Sequence, residues 1–110
     1  MLTESAIEGY KLHTEQVISH ARYRLGETWH DAQISRRERM ADGRVAIYFP
    51  IIPQAQEEVT ITGVQLYSKD GKLWAEKEED IKVKSVQEGV LYRFTFDLHE
   101  EEYEEGQDNV

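Results

Sequence analysis

The order of periodic segments constrains this chain more than any single motif, because one helix-type segment is followed only by strand-type segments. Apolar side chains recur every three or four residues from Thr3 to Leu25, which predicts one amphipathic helix. From residue 28 to residue 98, short segments separated by turn residues predict about six β-strands. With a single helix, repeated βαβ units are excluded, and the strands are expected to pair mostly antiparallel. The sequence therefore predicts a small α+β domain, a β-sandwich or half-barrel with an N-terminal helix.

Capping residues mark both ends of the predicted helix. Ser5 and Glu8 have the spacing of a capping box, and Thr3 is an alternative N-cap. Gly26 follows the last apolar residue of the stripe and can adopt the left-handed conformation that ends many helices. We therefore expect one uninterrupted helix up to Gly26.

Turn residues divide the rest of the chain into strands. The predicted strands lie at residues 29–39, 44–49, 59–67, 72–77, 81–86 and 90–98. Gly43 and Gly71 close short polar connections, which predicts tight turns between neighbouring strands. Pro50 and Pro53 lack a backbone donor and are expected to end the second strand. Gly63 interrupts the apolar pattern of the third strand, which predicts a β-bulge.

The C-terminal residues differ from the rest of the chain in charge. The segment from His99 to Val110 contains six acidic residues and neither lysine nor arginine. We predict one α+β domain over residues 1–98 and an acidic, disordered tail over residues 99–110. A solubilising role is the simplest interpretation of this tail, and binding to a basic partner is the alternative.

Composition excludes several classes of function. The net charge of −9, from 22 acidic and 13 basic residues, disfavours binding to nucleic acid or anionic membranes. No apolar run approaches the roughly 20 residues that span a bilayer, and no secretory signal precedes the helix. The absence of cysteine excludes disulfides and thiolate metal sites, so the core alone must stabilise the fold. We expect a soluble protein made in the cytoplasm.

The histidines and carboxylates show no spacing typical of a catalytic or metal site. His13 and His20 lie seven residues apart, whereas metal ligands on one helix are usually three or four apart. Zinc would need a further ligand from His30 or His99. Nucleophile, phosphate-loop and dinucleotide motifs are all missing from the sequence. We therefore expect no enzymatic activity and no cofactor.

Four arginines form the one basic cluster, on the first predicted hairpin: Arg36, Arg37, Arg39 and Arg44. In the simplest interpretation they cover a solvated sheet face or pair with Glu38 and Asp42. A second interpretation is a nucleic-acid surface, with Trp29 or Tyr48 as a stacking platform. In a third, the cluster binds the acidic tail of another copy and builds a head-to-tail oligomer.

Other candidate interaction residues are apolar. Tyr10 and Val17 belong to the helix stripe, which either packs on its own sheet or faces a partner. Trp29 and Trp74, with Tyr48, are candidates to line a cleft for a small ligand or peptide. The full set of candidate interaction residues is Tyr10, Val17, Trp29, Arg36, Arg37, Arg39, Arg44 and Trp74.

Four short features follow one another in a recognisable order. They are Ala21-Arg22 near the end of the predicted helix, the strand end Tyr48-Phe49-Pro50, the turn Lys69-Asp70-Gly71, and the closing strand from Tyr92 to Glu100. This order resembles small proteins encoded in tail or baseplate modules of Gram-positive phages and prophages. The resemblance covers roughly residues 15–100, without the arginine cluster and the acidic tail.

The resemblance implies a structural or assembly protein that associates with a virion and has no catalytic residues. Such a protein acts through contacts with protein partners, including other copies of itself. The alternative hypothesis is a monomeric module that binds a small ligand or a peptide.

Overall fold

The computed structural model describes residues 3–53, 57–84 and 89–97, which form one helix and seven strands. The helix is α1 (Glu4–Val17). The strands are β1 (Ile18–Leu25), β2 (Thr28–Gln33), β3 (Arg36–Arg39), β4 (Val45–Ile51), β5 (Val59–Ser68), β6 (Leu73–Val83) and β7 (Val90–Phe96). Every strand pairing is antiparallel, which confirms the predicted α+β class. The predicted acidic tail lies outside the described residues.

The strands form two sheets that share one core. Sheet A has the order β2-β1-β5-β6 and sheet B the order β3-β4-β7. Fully buried side chains come from both sheets, among them Leu66 in sheet A and Phe49 in sheet B. Only residues 34–35 separate β2 from β3, so the chain passes from one sheet to the other there. The fold is therefore a two-sheet sandwich with α1 packed against β1 and β4.

The helix is shorter than predicted, because residues from Ile18 onwards form β1. The side chain of Thr3, not Ser5, caps the helix by accepting a hydrogen bond from the backbone N–H of Ala6 at 3.1 Å. Val17 and Ile18 are both β-branched, which disfavours helix, and Ile18 is fully buried. The prediction of a helix up to Leu25 was wrong, and Ala21-Arg22 lies within β1.

Tertiary contacts stabilise the change from helix to strand. The carbonyl of Val17 accepts a hydrogen bond from the backbone N–H of Lys69, at the β5–β6 turn, at 3.2 Å. The carbonyl of Ile18 accepts one from Nη2 of Arg37 at 2.6 Å. These bonds satisfy carbonyls that a helix end leaves without a partner. Gly26 adopts φ +60° as expected, but in the tight turn between β1 and β2.

The strand boundaries differ from the prediction at three places. The segment predicted as one strand at 29–39 forms β2 and β3. The single strand β6, Leu73–Val83, joins the segments that were predicted as separate strands at 72–77 and 81–86, of which residues 85 and 86 lie outside the described residues. Pro50 lies inside β4, paired with Leu91, because β3 covers β4 only as far as Tyr48. Beyond Tyr48, the edge of β4 that faces β3 forms no further hydrogen bonds between strands. The missing backbone N–H of Pro50 is therefore tolerated there.

The predicted turns and the predicted bulge are confirmed. Gly43 and Gly71 have φ values of +90° and +81°, and each closes a short hairpin turn. The β5–β6 register shifts between Ile61 and Gly63, where the bulge was predicted. The helix α1, the one helix in the described part of the chain, is not long and apolar enough to cross a bilayer.

Candidate functional site

Two of the predicted arginines hold the helix in place. Arg37 and Arg39 pair with residues of β4 that face the core, so their side chains point towards α1. Nη1 of Arg39 donates to both carboxylate oxygens of Glu8, at 2.7 and 2.8 Å, and Nη2 donates to Glu15 at 2.7 Å. These two glutamates raise the pKa of Arg39, so its guanidinium stays protonated. Of the two predicted alternatives, a helix on its own sheet and a helix facing a partner, the structure shows the first.

The other two predicted arginines lie elsewhere. Arg44 contacts the Asp42 carboxylate at 2.8 Å through Nε. The pKa of Asp42 lies below its usual value, mainly because the backbone N–H of Arg44 donates to it, and then because of the guanidinium. Arg36 lies on the outer face of sheet B and contacts Glu38 at 3.3 Å. The four arginines therefore do not form a single surface.

A row of three residues crosses the outer face of sheet B. Tyr48 lies between Arg36 of β3 and Arg93 of β7, each paired directly with it. The guanidinium carbon of Arg36 lies 4.2 Å from the centroid of the Tyr48 ring, a cation–π contact. Sequence reasoning did not select Arg93, although it occupies a polar position in the alternation of its strand.

Exposed apolar side chains lie on α1 and at the start of β6. The exposed fractions are 57% for Tyr10, 49% for Leu12, 49% for Leu73 and 42% for Trp74. The rings of His13 and Trp74 meet edge to face at 5.7 Å, so the two stretches are in contact. We call these five residues the α1–β6 surface. Of the predicted stripe residues, Tyr10 contributes to this surface, whereas Val17 packs against the core.

Trp29 lies on the outer face of sheet A beside a shallow cleft. Arg24 donates to the side chain and to the carbonyl of Thr62, at 2.8 and 3.0 Å, and its guanidinium carbon lies 5.2 Å from the centroid of the Trp29 ring. A cleft of about 250 Å³ opens there, lined by Arg24, Trp29, Gly63, Glu76, Lys77 and Glu78. Trp29, Tyr48 and Trp74 lie on three separate surfaces, so the structure does not bring these predicted cleft residues together.

The chemistry of this cleft is that of charged and aromatic contacts. Its lining combines cationic and anionic side chains with one indole ring and holds no cysteine, serine or histidine. In the part of the chain that the structure describes, no three histidine, aspartate or glutamate side chains are grouped to hold a metal ion. Arg24 was missed because residues 18–25 were interpreted as helix. The alternation Ala-Arg-Tyr-Arg-Leu at 21–25 was the signal for a strand with both arginines on one face.

One polar contact joins the two sheets at the border of the core. The hydroxyl of Tyr92 in β7 donates a hydrogen bond to Oε2 of Glu79 in β6. Burial raises the pKa of Tyr92 far above its usual value, and the neighbouring Glu79 carboxylate raises it further. Tyr92 is therefore neutral around pH 7 and acts there as the donor.

The chain was compared with known proteins at the level of families, sequences and structures. No family model matches it, and neither a curated protein nor a solved structure was found to match.

Proposed function

We propose that this chain is a non-catalytic structural component of a protein assembly and acts through contacts with other copies of itself. The α1–β6 surface is the observation that supports this most. Among the described residues it holds four of the six exposed large apolar side chains: Tyr10, Leu12, Leu73 and Trp74. The contact between the rings of His13 and Trp74 brings the two stretches together, and tyrosine and tryptophan are enriched at protein contact sites.

The oligomeric state in solution tests this proposal. Light scattering over a range of concentrations should give a mass that rises above the 12.9 kDa of one chain. The double variant Leu73→Ser/Trp74→Ser should shift the protein towards the monomer, because both side chains would be buried between copies. Leu91→Ser is the matched control, since Leu91 is 59% exposed and lies in sheet B. A mass of one chain at every concentration would contradict self-assembly.

The sequence resemblance supports a more specific form of the proposal. In that form the assembly is the tail or baseplate of a phage or prophage, and the chain is made in the cytoplasm and then incorporated into the virion. The gene neighbourhood tests this part separately. Capsid or tail genes on both sides would support it, and a position within a metabolic operon would contradict it.

The cleft beside Trp29 favours a second candidate function, the binding of a small ligand by a monomer. Its lining residues include Trp29 for stacking and Arg24, Lys77, Glu76 and Glu78 for polar contacts. A fragment screen by nuclear magnetic resonance would detect such binding as shifts of the Trp29 indole N–H and the Gly63 amide. A monomeric protein with a fragment bound at this cleft would favour this candidate over assembly.

A further inference from the structure

The outer edge of β7 is the least protected strand edge in the described part of the molecule. β7 pairs with β4 on one side, and no described strand pairs with its other side. Its seven residues carry one charged side chain, Arg93, and the β4–β7 register runs without a bulge. Free edges of this kind expose backbone donors and acceptors to another chain.

The other edge strands carry the features that usually prevent such pairing. β3 is only four residues long, and three of them are arginines. Six of the eleven residues of β6 are charged, and its pairing with β5 is interrupted by two register shifts. β2 connects within two residues to the other sheet and contacts β4. Charge, shortness and irregularity all disfavour the addition of a strand, so the contrast points to β7.

The side chains of β7 also leave room for a neighbouring strand. Phe94 and Phe96 face the core side but are only half-buried, whereas Tyr92 is buried. Phe94 and Phe96 stack along the strand with ring centroids 5.1 Å apart. Sheet B has three strands and sheet A has four. An added strand beside β7 would therefore bury apolar ring surface as well as pair the free backbone groups.

The charge of Arg93 indicates which partner fits this edge. Arg93 is exposed on the outer face, and none of the ion pairs between described residues includes it. A residue directly opposite in an added strand would be its neighbour, so a carboxylate is favoured there and a cation is disfavoured. Two copies of β7 paired antiparallel about Arg93 would place two arginines together, which argues against a second β7 as the partner.

We propose that the outer edge of β7 binds an extended, acidic segment of a partner protein as an added strand. A carboxylate of that segment lies opposite Arg93, and the apolar residues on either side of it pack against Phe94 and Tyr92. The proposal rests on the proposed function in assuming that the chain works through protein contacts. It uses a surface distinct from the α1–β6 surface, which mediates contact between copies.

Two designed peptides test the proposal with the full-length chain. One is Thr-Val-Glu-Val-Thr with blocked ends, and the other has lysine in place of the glutamate. Titration of the ¹⁵N-labelled protein should shift the amide signals of β7, and the glutamate peptide should bind about fivefold more tightly than the lysine peptide. In Arg93→Glu the order of the two peptides should reverse, and in Arg93→Gln the preference should disappear.

Lys82→Glu is the matched control, because it reverses a charge on the edge strand β6 and should leave the preference unchanged. The proposal is overturned if neither peptide shifts the β7 signals. It is overturned as well if residues beyond Phe96 of the chain itself cover this edge. It is also overturned if Arg93→Glu still prefers the glutamate peptide. Light scattering reports self-assembly independently of these titrations, so failure of one proposal is distinguishable from failure of the other.

Discussion

At the scale of single residues, Gly63 shows how a missing side chain permits a close contact. A Cβ at this position would lie 3.3 Å from Nη2 of Arg24 and 3.4 Å from Cη2 of Trp29. Arg24 is held by Thr62, so it cannot easily withdraw. We expect Gly63→Ala to destabilise the fold by about 1 kcal/mol and to change the fluorescence of Trp29, measured in a Trp74→Phe background.

The same substitution at another glycine provides the control. Gly9→Ala has no neighbouring atom within 4 Å and lies in α1, so it should stabilise the protein by about 0.5–1 kcal/mol. A Gly63→Ala variant that is as stable as the Gly9→Ala variant, with unchanged fluorescence, would show that the contact has no energetic importance.

Because of Tyr92, the free energy of unfolding should depend on pH in the alkaline range. Its pKa in the folded state is raised, whereas an unfolded tyrosine ionises near pH 10. Above about pH 10 the unfolded state releases a proton that the folded state retains, so the free energy of unfolding falls as the pH rises. Tyr92→Phe should flatten this decline and cost about 1–2 kcal/mol at neutral pH, because Glu79 loses its donor.

Urea denaturation between pH 7 and pH 11 measures both effects. Tyr10→Phe is the control, because the hydroxyl belongs to a side chain that is 57% exposed, and its profile should follow that of the unmodified protein. Tyr23 is also buried and its pKa is raised, so a smaller alkaline decline should remain in Tyr92→Phe. An unchanged decline in Tyr92→Phe would contradict the assignment.

At the scale of elements, α1 depends on sheet B for its position. Arg39 joins the strand β3 to Glu8 and Glu15, which lie on one face of the helix two turns apart. Arg39→Gln should destabilise the protein by about 1–2 kcal/mol, since these hydrogen bonds are charge-assisted but partly exposed. Hydrogen exchange should show a greater loss of protection in α1 than in β4.

Lys72→Gln is the matched control for Arg39→Gln, because it removes a cation whose ion pair is exposed. Lys72 contacts Asp70 at 3.7 Å and its side chain is 81% exposed, so its loss should cost less than about 0.5 kcal/mol. Equal effects of the two substitutions, or equal loss of protection in α1 and β4, would indicate that Arg39 does not anchor the helix.

The predicted elements differ in how well local sequence determined them. β7 was recognised because apolar residues recur at every second position from Val90 to Phe96, and the turn at Gly71 because glycine readily adopts a positive φ. The end of α1 was not recognised, because Ile18, Ala21 and Leu25 fit both a helical stripe and a strand that is buried on one face. Residues 18–25 form a strand because β2 and β5 pair with both of its edges.

At the scale of the whole molecule, the two sheets should unfold as one unit because they share a core. Phe49 of sheet B is fully buried, whereas both tryptophans report on sheet A. Phe49→Ala should lower the free energy of unfolding by about 3–5 kcal/mol and shift the tryptophan fluorescence and circular dichroism transitions together. Leu91→Ala removes an exposed apolar side chain and should change stability by less than about 0.5 kcal/mol. Separate transitions in Phe49→Ala would show that the sheets unfold independently.

The candidate interaction residues illustrate why surfaces are harder to predict than strands. Arg36, Arg37, Arg39 and Arg44 are close in sequence, and their clustering suggested one basic surface. The alternation of β3 instead directs Arg37 and Arg39 towards α1 and Arg36 to the opposite face. Tyr10 and Trp74 are 64 residues apart in number, yet His13 links their segments. Such contacts depend on packing, which short-range patterns do not encode.

The sequence by itself determined the α+β class, the antiparallel pairing, and the hairpin turns at Gly43 and Gly71. These features follow from periodicity and backbone chemistry within a few residues. Tertiary structure alone decided where α1 ends, which arginines remain on the surface, and which described strands lie at the sheet edges. Those outcomes depend on free energies of burial and pairing between segments distant in sequence, which exceed local conformational preferences.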